Sequence, residues 1–332
     1  VQVSSGQDLL AYAYDAVGRR KYAIAVKDLS TGETLGEPIF GVTSNLAWAE
    51  DGKTLLYGRQ DPETLRAYQI YRHEAGAARA DDVLVYEEPD EEFEAYVWKT
   101  RSRAYLLIGS FQTESSEIRF APADRPAGAW TVFHPREEKH EYEIDHAHDW
   151  FYVRTNDGAT NFKLMRAAVK DTAKANWEEV VPHRDQVLLQ GFDVFRDHLV
   201  TTERSGGLIH LQIRTWSGDG AHELAFDEPA YVAWTDANPE FDTAVLRYGY
   251  ASMTTPDSIY DYDMGTRERL LRKRDEGLGG FDQGADRTER LEAPAPDGAM
   301  VPISLVYRPD ARRDGGNPVV LYGYGAYGYS IE

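Results

Sequence analysis

The feature that most restricts what this chain can fold into is a recurring unit: an apolar or aromatic run, a short polar turn, a second run of alternating apolar residues, then another hairpin. It opens at VQVSSGQDLLAYAYDA from Val1, LAWAEDGKTLLYGRQ from Leu46 and AYVWKTRSRAYLLIGSF from Ala95. It returns at YEIDHAHDWFYVRTNDG from Tyr142, FDVFRDHLVTTERSGG from Phe192 and YVAWTDANPEFDTAVLRYGYAS from Tyr231. Successive starts lie roughly 40 to 50 residues apart, the period of a four-stranded propeller blade, whereas ankyrin and tetratricopeptide repeats are shorter and helical. Asp51-Gly52, Asp157-Gly158, Gly206-Gly207 and Asp219-Gly220 fall between the alternating runs, where tight hairpins demand positive φ. The pattern predicts an all-β fold, a β-propeller with about six four-stranded blades, running to Glu276. A helical pattern is scarce: ATNFKLMRAAVKDTAKANW, Ala159 to Trp177, offers a turn or two.

Composition agrees with short strands. Aromatic residues make up 12% of the 332, with 21 Tyr and 7 Trp, while 28 Gly and 15 Pro supply turns. Cysteine is absent, which removes disulfides and thiolate chemistry from these residues and is compatible with a reducing cytoplasm. No charged start leads into an apolar stretch, and no run of 18 apolar residues occurs, so neither a signal peptide nor a membrane span is visible. The net charge of −20 disfavours nucleic acid, whose phosphates would be repelled, and favours cationic ligands. The chain starts at Val1 without a methionine and stops just after an apolar run, and it reads as a piece of a longer protein.

At EGLGGFDQGAD, Glu276 to Asp286, the period breaks into a glycine-rich segment with the composition of a linker. Beyond it, ERLEAPAPDGAMVPISLVYRP reads as two strands around a turn at Pro296-Asp297-Gly298. NPVVLYGYGAYG then reads as a short strand buried on both faces, as in α/β folds, ending in a glycine turn. Gly323, Gly325 and Gly328 satisfy G-x-G-x-x-G, but four residues remain after Gly328, too few for the helix and acidic residue of a dinucleotide site.

Other patterns carry little chemistry. His146 and His148 in DHAHD share a strand face, with Asp145 and Asp149 beside them, but no third histidine follows at a ligand spacing, so a hairpin start is the preferred reading over a metal pair. In YDYDMG, Asp261 and Asp263 resemble half a calcium loop, but Gly265 comes one residue early and Arg272 stands where the closing glutamate belongs. No G-x-S-x-G elbow occurs, and Ser205 and Ser217 fall in hairpin turns, so these residues hold no activated nucleophile.

LLAYAYDAVGRRKYAIAVKDLSTGE, DDVLVYEEPDEEF, SMTTPDSIYDYDMGTRERLL, APDGAMVPISLVYR and LYGYGAYG, in that order, resemble the prolyl oligopeptidase family of serine peptidases, in its oligopeptidase B (protease II) branch. The resemblance implies a seven-bladed propeller joined to an α/β-hydrolase domain carrying Ser, Asp and His. On that comparison residues 1–276 are propeller, 277–286 a linker and 287–332 the start of the hydrolase domain, with the whole triad outside the chain. It implies a cytoplasmic serine oligopeptidase without cofactor or metal, acting on short peptides after Lys or Arg and not on nucleic acid or membranes, the propeller excluding folded proteins. This chain alone is then expected to be inactive. Tyr324 matches the family's tyrosine whose hydroxyl donates to the oxyanion, Tyr327 an aromatic residue lining the substrate pocket, and Glu332 an acidic residue suited to basic side chains. The competing class is a non-enzymatic propeller serving as a binding scaffold.

Overall fold

The computed structural model describes residues 1–277, 282, 284–311, 314–325 and 330. Two compact units divide the chain, Val1–Pro182 and His183–Glu332.

The first unit opens with a seven-stranded antiparallel sheet in sequence order: β1 (Gln2–Val3), β2 (Leu9–Tyr14), β3 (Tyr22–Asp28), β4 (Thr34–Trp48), β5 (Thr54–Gln60), β6 (Ala67–Glu74) and β7 (Val83–Glu87). The 15-residue β4 serves two meanders. Its first part pairs with β3 up to Val42, and its later part, from Val42 to Trp48, pairs with β5. A four-stranded sheet follows, from β8 (Glu94–Lys99), β9 (Tyr105–Gln112), β10 (Ser115–Pro122) and β11 (Thr131–His134). The next comprises β12 (Tyr142–Ala147), β13 (Trp150–Thr155), β14 (Lys163–Ala168) and β15 (Glu178–Val181).

The central strands read as apolar runs because they are covered on both faces. In β9, Leu106, Leu107 and Ile108 are all buried, and the two-residue strand period separates them. Leu106 and Ile108 pack with Leu56, Ile70 and Val97, while Leu107 packs with Ile144, Phe151 and Val153 of the following sheet. β5 repeats the device, with Leu55 and Tyr57 in one core and Leu56 in the next. Each such leucine contributes about 1.5 to 3 kcal/mol through burial, and the stacked sheets share their cores.

The second unit contains β16 (Leu188–Val194), β17 (His198–Ser205), β18 (Leu208–Thr215) and β19 (His222–Glu223) in one sheet. A second holds β20 (Val232–Thr235), β21 (Val245–Ala251), β22 (Ser258–Asp263) and β23 (Arg269–Arg274). Counting β4 in both meanders, the two units carry six four-stranded meanders among the described residues, the number that the repeat predicts. Gly206 and Gly207 form the two-residue β17–β18 turn with φ of 54° and 75°, the paired positive values of a tight hairpin. Gly52, Gly158 and Gly220 also have positive φ. No helix among the described residues is long and apolar enough to cross a membrane.

Beyond Asp275, a hairpin of β24 (Arg287–Pro294) and β25 (Met300–Tyr307) matches the expected pair of strands, with Ala295 N donating to Ala299 O across the turn at 2.8 Å. One local expectation is narrowed and another is corrected. Ala159 to Trp177 keeps a single helical turn, the 3-10 turn Lys174–Asn176, and the rest of its helical pattern falls on strand β14. β14 pairs with β13 without a break, so the buried Leu164 and Ala167, three apart, lie on opposite faces of a strand covered on both sides, which imitates a helical period. The apolar run 319–325 is not a strand, and Val320 is 94% exposed, because no described strand supplies hydrogen bonds or cover to either face.

Candidate functional site

Of the residues that the sequence nominates for catalysis and substrate binding, Tyr324 is the one within the described residues. Tyr324 is 54% exposed and lies outside any strand, so the expected buried strand end that would aim its hydroxyl is not formed. Tyr327 and Glu332 lie outside the described residues, as does Gly328 of the glycine pattern.

The segment SMTTPDSIYDYDMG has a structural explanation. Glu228 accepts hydrogen bonds from Tyr250 Oη at 2.6 Å, Ser252 Oγ at 2.8 Å and Thr255 Oγ1 at 2.8 Å, and also from Thr254 Oγ1. Burial works to raise the carboxyl pKa, but these hydroxyls outweigh it and hold Glu228 below the usual glutamate value. The small hydroxylated residues between β21 and β22 thus wrap one carboxylate. Asp261 accepts a two-pronged bond from Arg247, at 2.7 and 3.0 Å, and Asp263 caps its own turn through Gly265 N and Thr266 N. Both aspartates are engaged within the sheet, which accounts for the failed resemblance to a calcium loop. Ser205 ends β17, and Ser217 Oγ pairs with Thr215 Oγ1 at 2.9 Å, as turn residues do.

His146 and His148 separate in the same way. His146 is buried, its Nδ1 2.8 Å from Ser102 Oγ, and burial pushes its pKa down to about 4. His148 occupies the β12–β13 turn with φ 57°. Among the described residues, the set of side chains whose donor atoms converge as metal ligands do is another one, His134, Glu137 and His140. HPREEKH carries that set as an H-x-x-E-x-x-H spacing, a signal present in the sequence but matching neither the two-residue strand period nor the blade repeat.

A cavity of about 850 Å³ opens in the first unit where the β5–β6 turn, the approach to β8 and the end of β9 meet. Its walls carry the carboxylates Asp61, Glu91, Glu92 and Glu94 and the rings of Tyr68, Tyr96 and Phe111. Arg66, the cation among these wall residues, is committed to the backbone: Nε donates to Phe93 O at 2.7 Å, and Nη2 to Glu88 O at 2.9 Å and to Asp90 O. Backbone N–H bonds from Thr64 and Glu63 keep the Asp61 carboxyl below its ordinary value. Burial, reinforced by the bond to Glu94, pushes the Tyr96 phenol up to about 12. Ionised carboxylates beside aromatic faces can accept an ammonium or guanidinium, the first by charge and the second also by stacking.

Residues 1–275 match the prolyl oligopeptidase N-terminal β-propeller domain. The full length of the chain is 42% identical to dipeptidyl aminopeptidase BI of Pseudoxanthomonas mexicana, covering 46% of that protein, and 30% identical to Protease 2 of Moraxella lacunata, covering 48% of it. In structure, it superposes over its whole length on 48% of oligopeptidase B from Leishmania major, with a TM-score of 0.91 and 28% identity. The chain therefore spans about half the length of the relatives that it matches. With six four-stranded meanders and this match across 1–275, the chain belongs to the prolyl oligopeptidase family and carries its N-terminal β-propeller domain.

Proposed function

We propose that this chain is the cover, and part of the peptidase domain, of a cytoplasmic serine oligopeptidase that cleaves short peptides on the carboxyl side of Lys or Arg. The observation that carries the reading is the match along the whole chain to oligopeptidase B, together with family membership. The carboxylate and aromatic cavity of the first unit supports the basic preference, because it suits cationic side chains. In this reading residues 1–276 exclude folded proteins, 277–286 act as the hinge that lets substrate in, and 287–332 begin the α/β-hydrolase domain. The triad belongs to the parent protein outside these 332 residues, whose sequence contains no G-x-S-x-G, and the chain alone is inactive.

Within the parent, Tyr324 donates its hydroxyl to the oxyanion alongside a backbone N–H, Tyr327 lines the substrate pocket, and Glu332 receives a basic side chain. The hydroxyl meets full negative charge only in the tetrahedral transition state, so Tyr324→Phe should lower kcat by roughly 10² to 10³ with little change in substrate binding. The assay is steady-state hydrolysis of arginyl, lysyl and neutral amides by the full-length protein. An unchanged kcat for Tyr324→Phe refutes the role of the hydroxyl, and equal kcat/KM for arginyl and neutral amides refutes the basic preference. No turnover by the full-length protein would favour a non-enzymatic binding scaffold.

The 42% identity to a dipeptidyl aminopeptidase favours a second reading, release of dipeptides from free N-termini. Pairing each amide with its N-blocked form separates the two. An endopeptidase tolerates the block, whereas a dipeptidyl aminopeptidase requires the free ammonium.

A further inference from the structure

HPREEKH, residues 134–140, joins β11 to β12 and brings two imidazoles and a carboxylate together. His134 Nε2 lies 3.0 Å from Glu137 Oε1, and His140 Nδ1 lies 3.7 Å from Glu137 Oε2. The donor atoms of all three residues fall within 4.8 Å of one another. Bonds of about 2.0 to 2.2 Å from Zn²⁺ to nitrogen and oxygen put tetrahedral ligand atoms a little over 3 Å apart, so small side-chain adjustments close the set.

His140 supplies the independent sign of a ligand. It is 4% exposed, and its Nδ1 is a buried atom with no hydrogen-bond partner, which a folded protein rarely tolerates. The other ring nitrogen is 2.8 Å from Thr155 Oγ1. When Nε2–H donates to that hydroxyl, the Nδ1 lone pair is left facing Glu137 and His134, the outer-shell arrangement that orients metal-binding histidines. The loop is held rigidly around this cluster. Ser116 N donates to His140 O at 3.1 Å, Lys139 N to Ser115 Oγ at 3.0 Å, and Tyr142 Oη to His134 O at 2.6 Å. Trp177 stands against both imidazoles, with ring centroids 5.7 and 6.4 Å away, and walls the cluster on one side.

A cation is already received there. Lys174 Nζ lies 2.9 Å from Glu137 Oε2 and 2.9 Å from Asp157 Oδ1, so one ammonium bridges two carboxylates. A dication balances both carboxylates where the ammonium balances one, and the partly exposed Lys174 has a route to solvent.

We propose that His134, Glu137 and His140 form a binding site for a late transition-metal dication, Zn²⁺ in the first instance, with water in the fourth position and the Lys174 ammonium as its competitor. Two imidazoles and one carboxylate select such ions over Ca²⁺ and Mg²⁺, which take oxygen ligands. The site ties the last strand of one meander to the first strand of the next, so bound metal stabilises the first unit by binding the folded state.

The test uses the 332-residue chain, stripped with chelator and titrated with Zn²⁺ by calorimetry and with Co²⁺ by visible absorption. Expected are one ion per chain at micromolar concentration, a tetrahedral Co²⁺ band, a Tm that rises with Zn²⁺, and no response to Ca²⁺. Glu137→Gln, on an exposed side chain, and His134→Asn should abolish the band, and His140→Ala should do the same where it folds. Lys174→Met should bind about tenfold more tightly, because the competing cation is gone. Absence of stoichiometric binding in both the wild-type chain and Lys174→Met overturns the proposal, as does binding that survives both Glu137→Gln and His134→Asn.

Discussion

Glu88 sits just after β7 with its side chain 0% exposed, and it offers the sharpest test of what holds the first unit together. Its Oε2 accepts hydrogen bonds from Tyr86 Oη and from Arg136 Nη2, both at 2.6 Å, and its Oε1 from Asp90 N at 3.0 Å. The Arg136 guanidinium lies 4.0 Å above the Phe93 ring and 3.7 Å from Glu117, so an ion pair bridging 48 residues of sequence is set in a packed network. Burial alone would raise the Glu88 pKa, but the bonds from Arg136, Ser110 and Tyr86 dominate and hold it at about 2, against an ordinary 4.5. At 1.36 kcal/mol per pKa unit, that difference corresponds to about 3 kcal/mol of stability. Because the folded value is depressed, the contribution is complete above pH 4.5 and is lost as pH falls from 4.5 towards 2. Glu88→Gln keeps the shape and never ionises. Urea unfolding followed by tryptophan fluorescence should therefore show a gap from wild type of about 3 kcal/mol at pH 7, shrinking to about half by pH 3. Glu88→Ala should cost more, about 3 to 5 kcal/mol, by leaving the guanidinium without its main partner. A gap below about 1 kcal/mol at pH 7, or one that does not change between pH 7 and pH 3, would refute the argument.

Two further outcomes test the packing. Gly249 on β21 faces Trp234 on β20, and a Cβ there would stand 2.0 Å from the indole, so Gly249→Ala should destabilise the second unit by about 1 to 3 kcal/mol in thermal unfolding; an unchanged Tm would mean that the indole swings aside freely. Buried His146, its pKa pushed down to about 4, resists protonation in the folded state, so its effect is absent above about pH 6.5 and costs about 3 kcal/mol of stability as pH falls to 4; His146→Phe should flatten that part of the pH profile, and an unaltered slope would show that the ring protonates in place.

How far the sequence could be read depended on whether a signal is local. Gly206-Gly207 between two alternating runs specifies its turn by itself, because positive φ at both positions is available cheaply only to glycine and the strands then pair in one register. Repeating such local signals at the blade period is enough to give the six meanders. β4 is less legible, since nothing in GVTSN marks where one meander ends and the next begins. Val42 pairs with Tyr22 on one side and Arg59 on the other, and that double role arises only when both neighbours have folded.

Sites depend still more on remote partners, as the tyrosine and the histidine cluster show in opposite directions. For Tyr324, the flanking glycines promise a pre-aimed donor, but aim requires a strand held in a sheet, and residues 319–325 form no strand. Whether a tyrosine hydroxyl is aimed is set by the sheet that holds it and not by the tyrosine and its flanks. For His134, Glu137 and His140, three-residue spacing means nothing on a strand and no helix is present to align it. The turn is closed by His140 N donating to Glu137 O at 3.2 Å, and the loop is fixed by Ser115 and Ser116 of the preceding sheet, while Thr155 and Lys174 come from the next. A motif search tuned to strand and helix periods passes over such a cluster, because the geometry that makes it a candidate ligand set is supplied by the sheets on either side of the loop.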